Sequence, residues 1–197
     1  MNPLGATSAR LKRNGPVTRF AYALGVTTPP SISVESPRAP GVEQLLDAGS
    51  AYARSLHPAD VLLDVPQLEA PNTLVYVARD GDGTAIGVAA IVASDDVDGR
   101  RAELTRMYVD ADARGAGIAS ALIERIETDA AARGLREIVL EAGRLQHPAL
   151  ALYAKHGYRR VEQFGRYVGE PSSVCMAKSL VGFTGEVLGE RPLAVGE

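Results

Sequence analysis

Ala102-Glu103-Leu104-Thr105-Arg106-Met107-Tyr108-Val109, then Asp110-Ala111-Asp112-Ala113, then Arg114-Gly115-Ala116-Gly117-Ile118-Ala119-Ser120: this stretch reads as a strand, a connector and a helix entered through two glycines. The glycines let the backbone turn sharply and approach a ligand without side-chain obstruction. The helix behind them points free N–H groups and a partial positive charge outward, which suits phosphate, and Arg114 can add a full charge. A P-loop is excluded because no Lys opens the helix. A dinucleotide fingerprint fits poorly. Its glycines belong at the strand end, whereas residues 110–114 intervene here, and Ser120 holds the third fingerprint position. An ordinary helix-capping turn is the bland alternative, and Gly-Ala-Gly alone does not displace it.

Outward from this stretch the hydrophobic period changes in an orderly way. The spacing predicts a helix over 116–133, with Ile118, Leu122, Ile126 and Ala130 in one row and Glu124, Glu127 and Asp129 outside it. Upstream it predicts a short strand at 32–35, a helix at 41–56, a loop or short helical piece at 58–71, and strands at 73–79 and 86–93. Turns are expected at 80–83 and 95–99. Downstream it predicts a strand at 136–141, a helix at 148–156 and final strands at 158–161 and 173–178. Hairpins followed by a βαβ crossover give an α+β fold with a mixed sheet, antiparallel N-terminally and parallel where the crossover returns.

Composition narrows the classes. Of 197 residues, 46% are apolar and 23% charged, enough for one substantial core. A net charge of −3 argues against a basic nucleic-acid surface, and 5% aromatics against a base-stacking platform. The apolar run 88–93 is far too short to cross a membrane. A single cysteine, Cys175, excludes an intrachain disulfide and a Cys-rich zinc site, and His57, His147 and His156 are scattered, so no metal is expected. The expected location is cytoplasmic. Residues 1–30 read as a flexible, acid-free extension, 31–180 as the domain and 181–197 as a Gly-rich tail.

Around the glycine loop, Arg114-Gly115-x-Gly117-x-Ala119 after a strand resembles motif A of the GNAT acetyltransferases. Gln146-x-x-Ala149-x-x-Leu152-Tyr153-x-x-x-Gly157-Tyr158 resembles their next motif, with Gln where Asn is usual. The resemblance implies a GNAT-like sheet whose central strands splay to admit acetyl-CoA. Backbone groups of Met107, Tyr108 and Val109 would bond the pantetheine arm. The amides of Arg114, Gly115, Ala116, Gly117, Ile118 and Ala119 would hold the pyrophosphate, with Gln146 nearby. The implied activity is N-acetylation of an amine, with a small-molecule acceptor favoured. A peptide acceptor and a silent acyl-CoA sensor are the alternatives, and a homodimer is left open.

The reaction itself sets the remaining requirements. A primary amine is protonated at neutral pH and must lose a proton before attacking a thioester, and the departing thiolate gains from a proton donor. Neither a metal nor a covalent nucleophile is needed, so Cys175 reads as an apolar filler of the last strand. The resemblance puts Glu103 in the register of a catalytic base, against the alternative of a salt bridge with Arg101 or Arg106, and keeps Glu141 in reserve. Tyr153 is the expected proton donor, against the alternative of a core tyrosine. Phe164, Tyr158 and Tyr167 either line the acceptor pocket or pack in the core.

Overall fold

A computed structural model describes residues 29–56, 65–94 and 100–181. Most of both terminal tails and the expected turn at 95–99 lie outside the described residues. The chain runs β1 (Ser31–Glu35), α1 (Val42–Leu56), α2 (Val65–Leu68), β2 (Thr73–Arg79), β3 (Ala85–Ala93), β4 (Arg101–Val109), α3 (Ile118–Ala132), β5 (Glu137–Gly143), α4 (His147–Lys155), β6 (Arg159–Arg160) and β7 (Ser173–Ser179). Two short 3-10 turns, Ala111–Ala113 and Gly165–Tyr167, escape the periodicity reading because a single turn carries too few residues to show a period.

The strands form one sheet in the order β1-β2-β3-β4-β5-β7-β6. All neighbours are antiparallel except β4 and β5, which are parallel across the α3 crossover, as hairpins followed by βαβ require. Alternation divides the core into two layers. Tyr76, Ala78, Ala89, Ile91, Ala102, Leu104, Ile138 and Leu140 face α3 and α4, while Val75, Val77, Val88 and Ala90 face α1 and α2. The α3 layer is tight: a Cβ on Gly87 of β3 would lie 2.9 Å from Ile118 Cγ2, so only glycine permits this approach.

One expectation is corrected in this layer. Glu127, placed outside the apolar row, is 2% exposed and pairs with Lys178 of β7 at 2.6 Å. Of the two readings of Tyr158, core packing holds: it lies in the same core, edge-on to Tyr153 with ring centroids 5.8 Å apart. Periodicity missed Glu127 because its partner arrives from a strand 51 residues away. Lys178→Met would leave that carboxylate buried without its cation. It should lower unfolding free energy by about 1.5–3 kcal/mol, the worth of a hydrogen bond to a charged group, in a denaturant titration.

The feature that matters for function lies on β4. Opposite β3, Val88 pairs with Tyr108 and Ala90 with Thr105, so Ala89 alone faces Arg106 and Met107. Arg106 takes the extra place with φ 57°, a left-handed conformation unusual for a side-chain-bearing residue. Its Nη2 donates to Leu46 O of α1 at 2.7 Å, which ties the bulge to the helix above. Pairing of β4 with β5 covers Arg101 to Leu104 against Glu137 to Leu140 and stops there. Beyond Leu104, β4 stays with β3 and β5 stays with β7, and the two central strands part.

Candidate active site

The splay opens where the bulge bends β4. Just past it, Gly115 and Gly117 take φ of 80° and 83°, and α3 begins. The first helical bond runs from Ala121 N–H to Gly117 O at 3.0 Å, so the preceding amides of Ile118, Ala119 and Ser120 have no intrahelical acceptor. Among the described residues no side chain caps this helix start, and an added Cβ at Gly115 would meet nothing within 4 Å. The result is an open, amide-lined helix N-terminus at the mouth of the gap.

Arg114 folds back over the end of β4. Its Nε donates to Val109 O at 3.1 Å, and its guanidinium lies 5.3 Å from the Tyr52 ring centroid and 5.4 Å from that of Tyr108. Tyr52, on α1, was not singled out from sequence, because an aromatic on an amphipathic helix reads as packing. Gln146 stands at the N-cap of α4, three residues beyond the end of β5, with its N–H on Gly143 O at 2.8 Å. His156 bonds the other end of α4 to the first turn of α3, with Nε2 3.0 Å from Ser120 Oγ, and burial holds it below its ordinary pKa.

The two faces of the sheet carry different chemistry. On the α1 face, next to the last β4–β5 pairs, Glu103 Oε1 accepts from the Tyr167 hydroxyl at 2.7 Å and from Arg166 Nη2 at 2.8 Å. Neither expected partner is used: Arg101 pairs with Glu137, and the Arg106 guanidinium bonds Leu46 O. Phe164 stacks edge-on against Tyr167 at 5.5 Å, so the 3-10 turn Gly165–Tyr167 covers this face. Burial, then the hydrogen bond to Glu103, pushes the Tyr167 phenol well above its ordinary value. Arg166 was missed from sequence, since a lone arginine in a predicted loop has no period or motif to mark it.

On the α3–α4 face, Tyr153 is 5% exposed within the core layer. No protein group hydrogen-bonds its hydroxyl among the described residues. Burial, and secondarily the Glu141 carboxylate, holds that phenol well above its ordinary pKa. Cys175 is a buried free thiol pushed upward by burial, which disfavours a nucleophilic thiolate. Among the described residues, no group of three or more His, Cys, Asp or Glu could hold a metal ion. No helix there is long and apolar enough to cross a membrane.

The family model for the GNAT acetyltransferases matches residues 42–158, more than half the chain and the whole span from α1 through the splay to α4. The chain belongs to the GNAT acetyltransferase family. An IAA acetyltransferase of Azospirillum brasilense is 40% identical over 152 residues, covering 76% of this chain and 97% of that protein. A solved Klebsiella pneumoniae structure, described as a candidate acyl-CoA N-acyltransferase, is 30% identical with a TM-score of 0.65, covering 77% of this chain and 97% of the other. The spermidine N-acetyltransferase of Vibrio cholerae, solved with CoA and spermine, shares the fold at 15% identity with a TM-score of 0.59, covering 78% and 98%. The protein is thus a GNAT-family N-acetyltransferase, and acetyl-CoA is the family's acyl donor. The residues present fit such a donor. Beyond Leu104 the β5-facing edge of β4 has no ladder partner, with Arg114 on Val109 O, and amides without an intrahelical acceptor follow at the start of α3.

Proposed function

We propose that this chain transfers the acetyl group of acetyl-CoA directly to a small-molecule amine that enters from the α1 face. The observation that carries this reading is the end of β4–β5 pairing at Leu104, beside Glu103 and ahead of the amide-lined start of α3. Glu103, held by Tyr167 and Arg166, stands on the α1 face of the sheet, and the buried Tyr153 belongs to the α3–α4 layer. Acetyl-CoA supplies an activated thioester. Met107, Tyr108 and Val109 would hold its pantetheine arm by backbone, and the amides of Arg114, Gly115, Ala116, Gly117, Ile118 and Ala119 its pyrophosphate, with Gln146 alongside.

Glu103 takes a proton from the bound ammonium, which frees the nitrogen lone pair for attack. Arg166 beside it holds the carboxylate in place for that proton. Tyr153 donates its hydroxyl proton to the departing sulfur as the C–S bond breaks, and the second nitrogen proton, shed as the N–C bond forms, restores the phenol. Holding both substrates in line supplies much of the remaining acceleration.

The test follows thiol release and product mass with the full chain and acetyl-CoA across amines, amino acids and peptides. Transfer to small amines is expected. CoA binding with no turnover on any acceptor would instead indicate a sensor, and turnover confined to peptides a peptide acetylase. Tyr153→Phe removes only a hydroxyl. It should leave acetyl-CoA affinity within a few-fold and lower kcat at least about tenfold. Because burial keeps the phenol protonated, the parent should show no alkaline loss from this group up to about pH 10. An unchanged kcat under chemistry-limited conditions would remove Tyr153 from this role.

A further inference from the structure

We infer that the Glu103–Arg166 pair reads an amine that also carries a carboxylate on the same carbon, so that the acceptor class is the α-amino acid. This rests on the acetyl-transfer reading above and adds to it the group that selects the acceptor. The argument comes from which atoms of the pair are already used. Glu103 Oε1 takes both of the carboxylate's hydrogen bonds, from Tyr167 and from Arg166 Nη2. Among the described residues Oε2 makes none, and it is not among the atoms sealed from solvent without a partner. On the arginine, Nη2 serves Glu103 and the Tyr167 hydroxyl, while Nε and Nη1 make no hydrogen bond within the described residues. A guanidinium has five N–H donors in a planar fork, so three remain available here.

The pair therefore offers one open anionic oxygen beside an open cationic edge, 2.8 Å across their shared contact. An α-amino acid presents the inverse pattern, an ammonium and a carboxylate on one carbon. Its ammonium can approach Oε2 while its carboxylate takes the free arginine edge, without breaking the existing salt bridge. Both partners are reachable, with side chains 41% and 20% exposed for Arg166 and Glu103. Charge balance agrees, because a neutral ion pair meets a neutral zwitterion. Phe164 meets Tyr167 edge to face, and the Arg166 guanidinium lies over the Tyr167 ring at 4.6 Å, so the pair stands beside aromatic surface. A simple monoamine would leave the arginine edge unused. A diamine would bring a second cation towards it.

The test is equilibrium binding by calorimetry to the full chain saturated with coenzyme A. The probes are the common α-amino acids, the decarboxylated amine of each one that binds, and 1,4-diaminobutane. At least one amino acid should bind at least about tenfold more tightly than its decarboxylated counterpart, the worth of one charge-assisted hydrogen bond. Arg166→Gln should bring the two within about threefold of each other, and Arg166→Lys, which keeps the charge but not the fork, should fall between. Thermal melting and CoA binding of both variants establish that they are folded.

The inference is overturned if no amino acid binds, if the decarboxylated amine or the diamine binds as tightly, or if the preference survives Arg166→Gln. Binding with this preference but no acetyl transfer would uphold the clamp and sink the catalytic reading. Transfer to monoamines alone would do the reverse.

Discussion

Gly117→Asp should raise the dissociation constant for acetyl-CoA at least about 100-fold while the protein still folds, given about 1.5–3 kcal/mol for each charged hydrogen bond lost. Gly117 is the N-cap of α3 with φ 83°, and no side chain competes for the amides that follow it. Aspartate tolerates the left-handed region better than most residues, so backbone strain stays small. Its carboxylate, however, would occupy the helix N-terminus as a built-in anion, satisfying the same N–H groups and repelling a pyrophosphate. Calorimetry with acetyl-CoA, beside a melting curve, checks both halves. A folded variant with unchanged affinity would remove the glycine loop from the cofactor site.

Glu103→Gln should lower kcat/KM by about 10²–10⁴-fold, the usual contribution of a positioned base. Glutamine keeps the length of the side chain and an oxygen that can still accept from Tyr167 and Arg166, so the covering turn Gly165–Tyr167 should stay in place. What it lacks is an atom able to take the ammonium proton. Raising pH should partly restore the variant, because more of the acceptor then arrives as free amine. Acetyl-CoA affinity should stay within a few-fold of the parent. Activity within about threefold of the parent at neutral pH would transfer the role of base to another group, with Glu141 of β5 next in line.

The central part of this fold was legible from residue order because its determinants are local. The strand at Arg101–Val109, the two glycines and the row Ile118, Leu122, Ile126 and Ala130 each act within a few positions of one another. Boundaries drifted where the end of an element depends on backbone angles. The helix expected from residue 116 begins at Ile118, because both Gly115 and Gly117 are left-handed. The strand expected to end at residue 141 continues to Gly143, held by its ladder with β7.

Side-chain partners were less legible. Glu103 was correctly seen as a strand residue carrying a charge, yet its partner lies 63 positions away on a turn with no periodic signature. Neighbouring Arg101 and Arg106, plausible by proximity in sequence, are drawn off by Glu137 and by the Leu46 carbonyl.

Residue order by itself determined the alternation of strands and helices, the anion-ready start of α3 and the chemistry available along β4, since these follow from backbone conformation and short-range periodicity. Only the tertiary structure decided which face each group serves. A one-residue bulge at Arg106 redirects β4 just beyond its last pair with β5, and sends Met107 and Val109 to the α3 layer and Tyr108 to the α1 layer. A bulge reverses the inward–outward alternation of every residue beyond it, and its position depends on pairing with a neighbouring strand that local sequence does not encode.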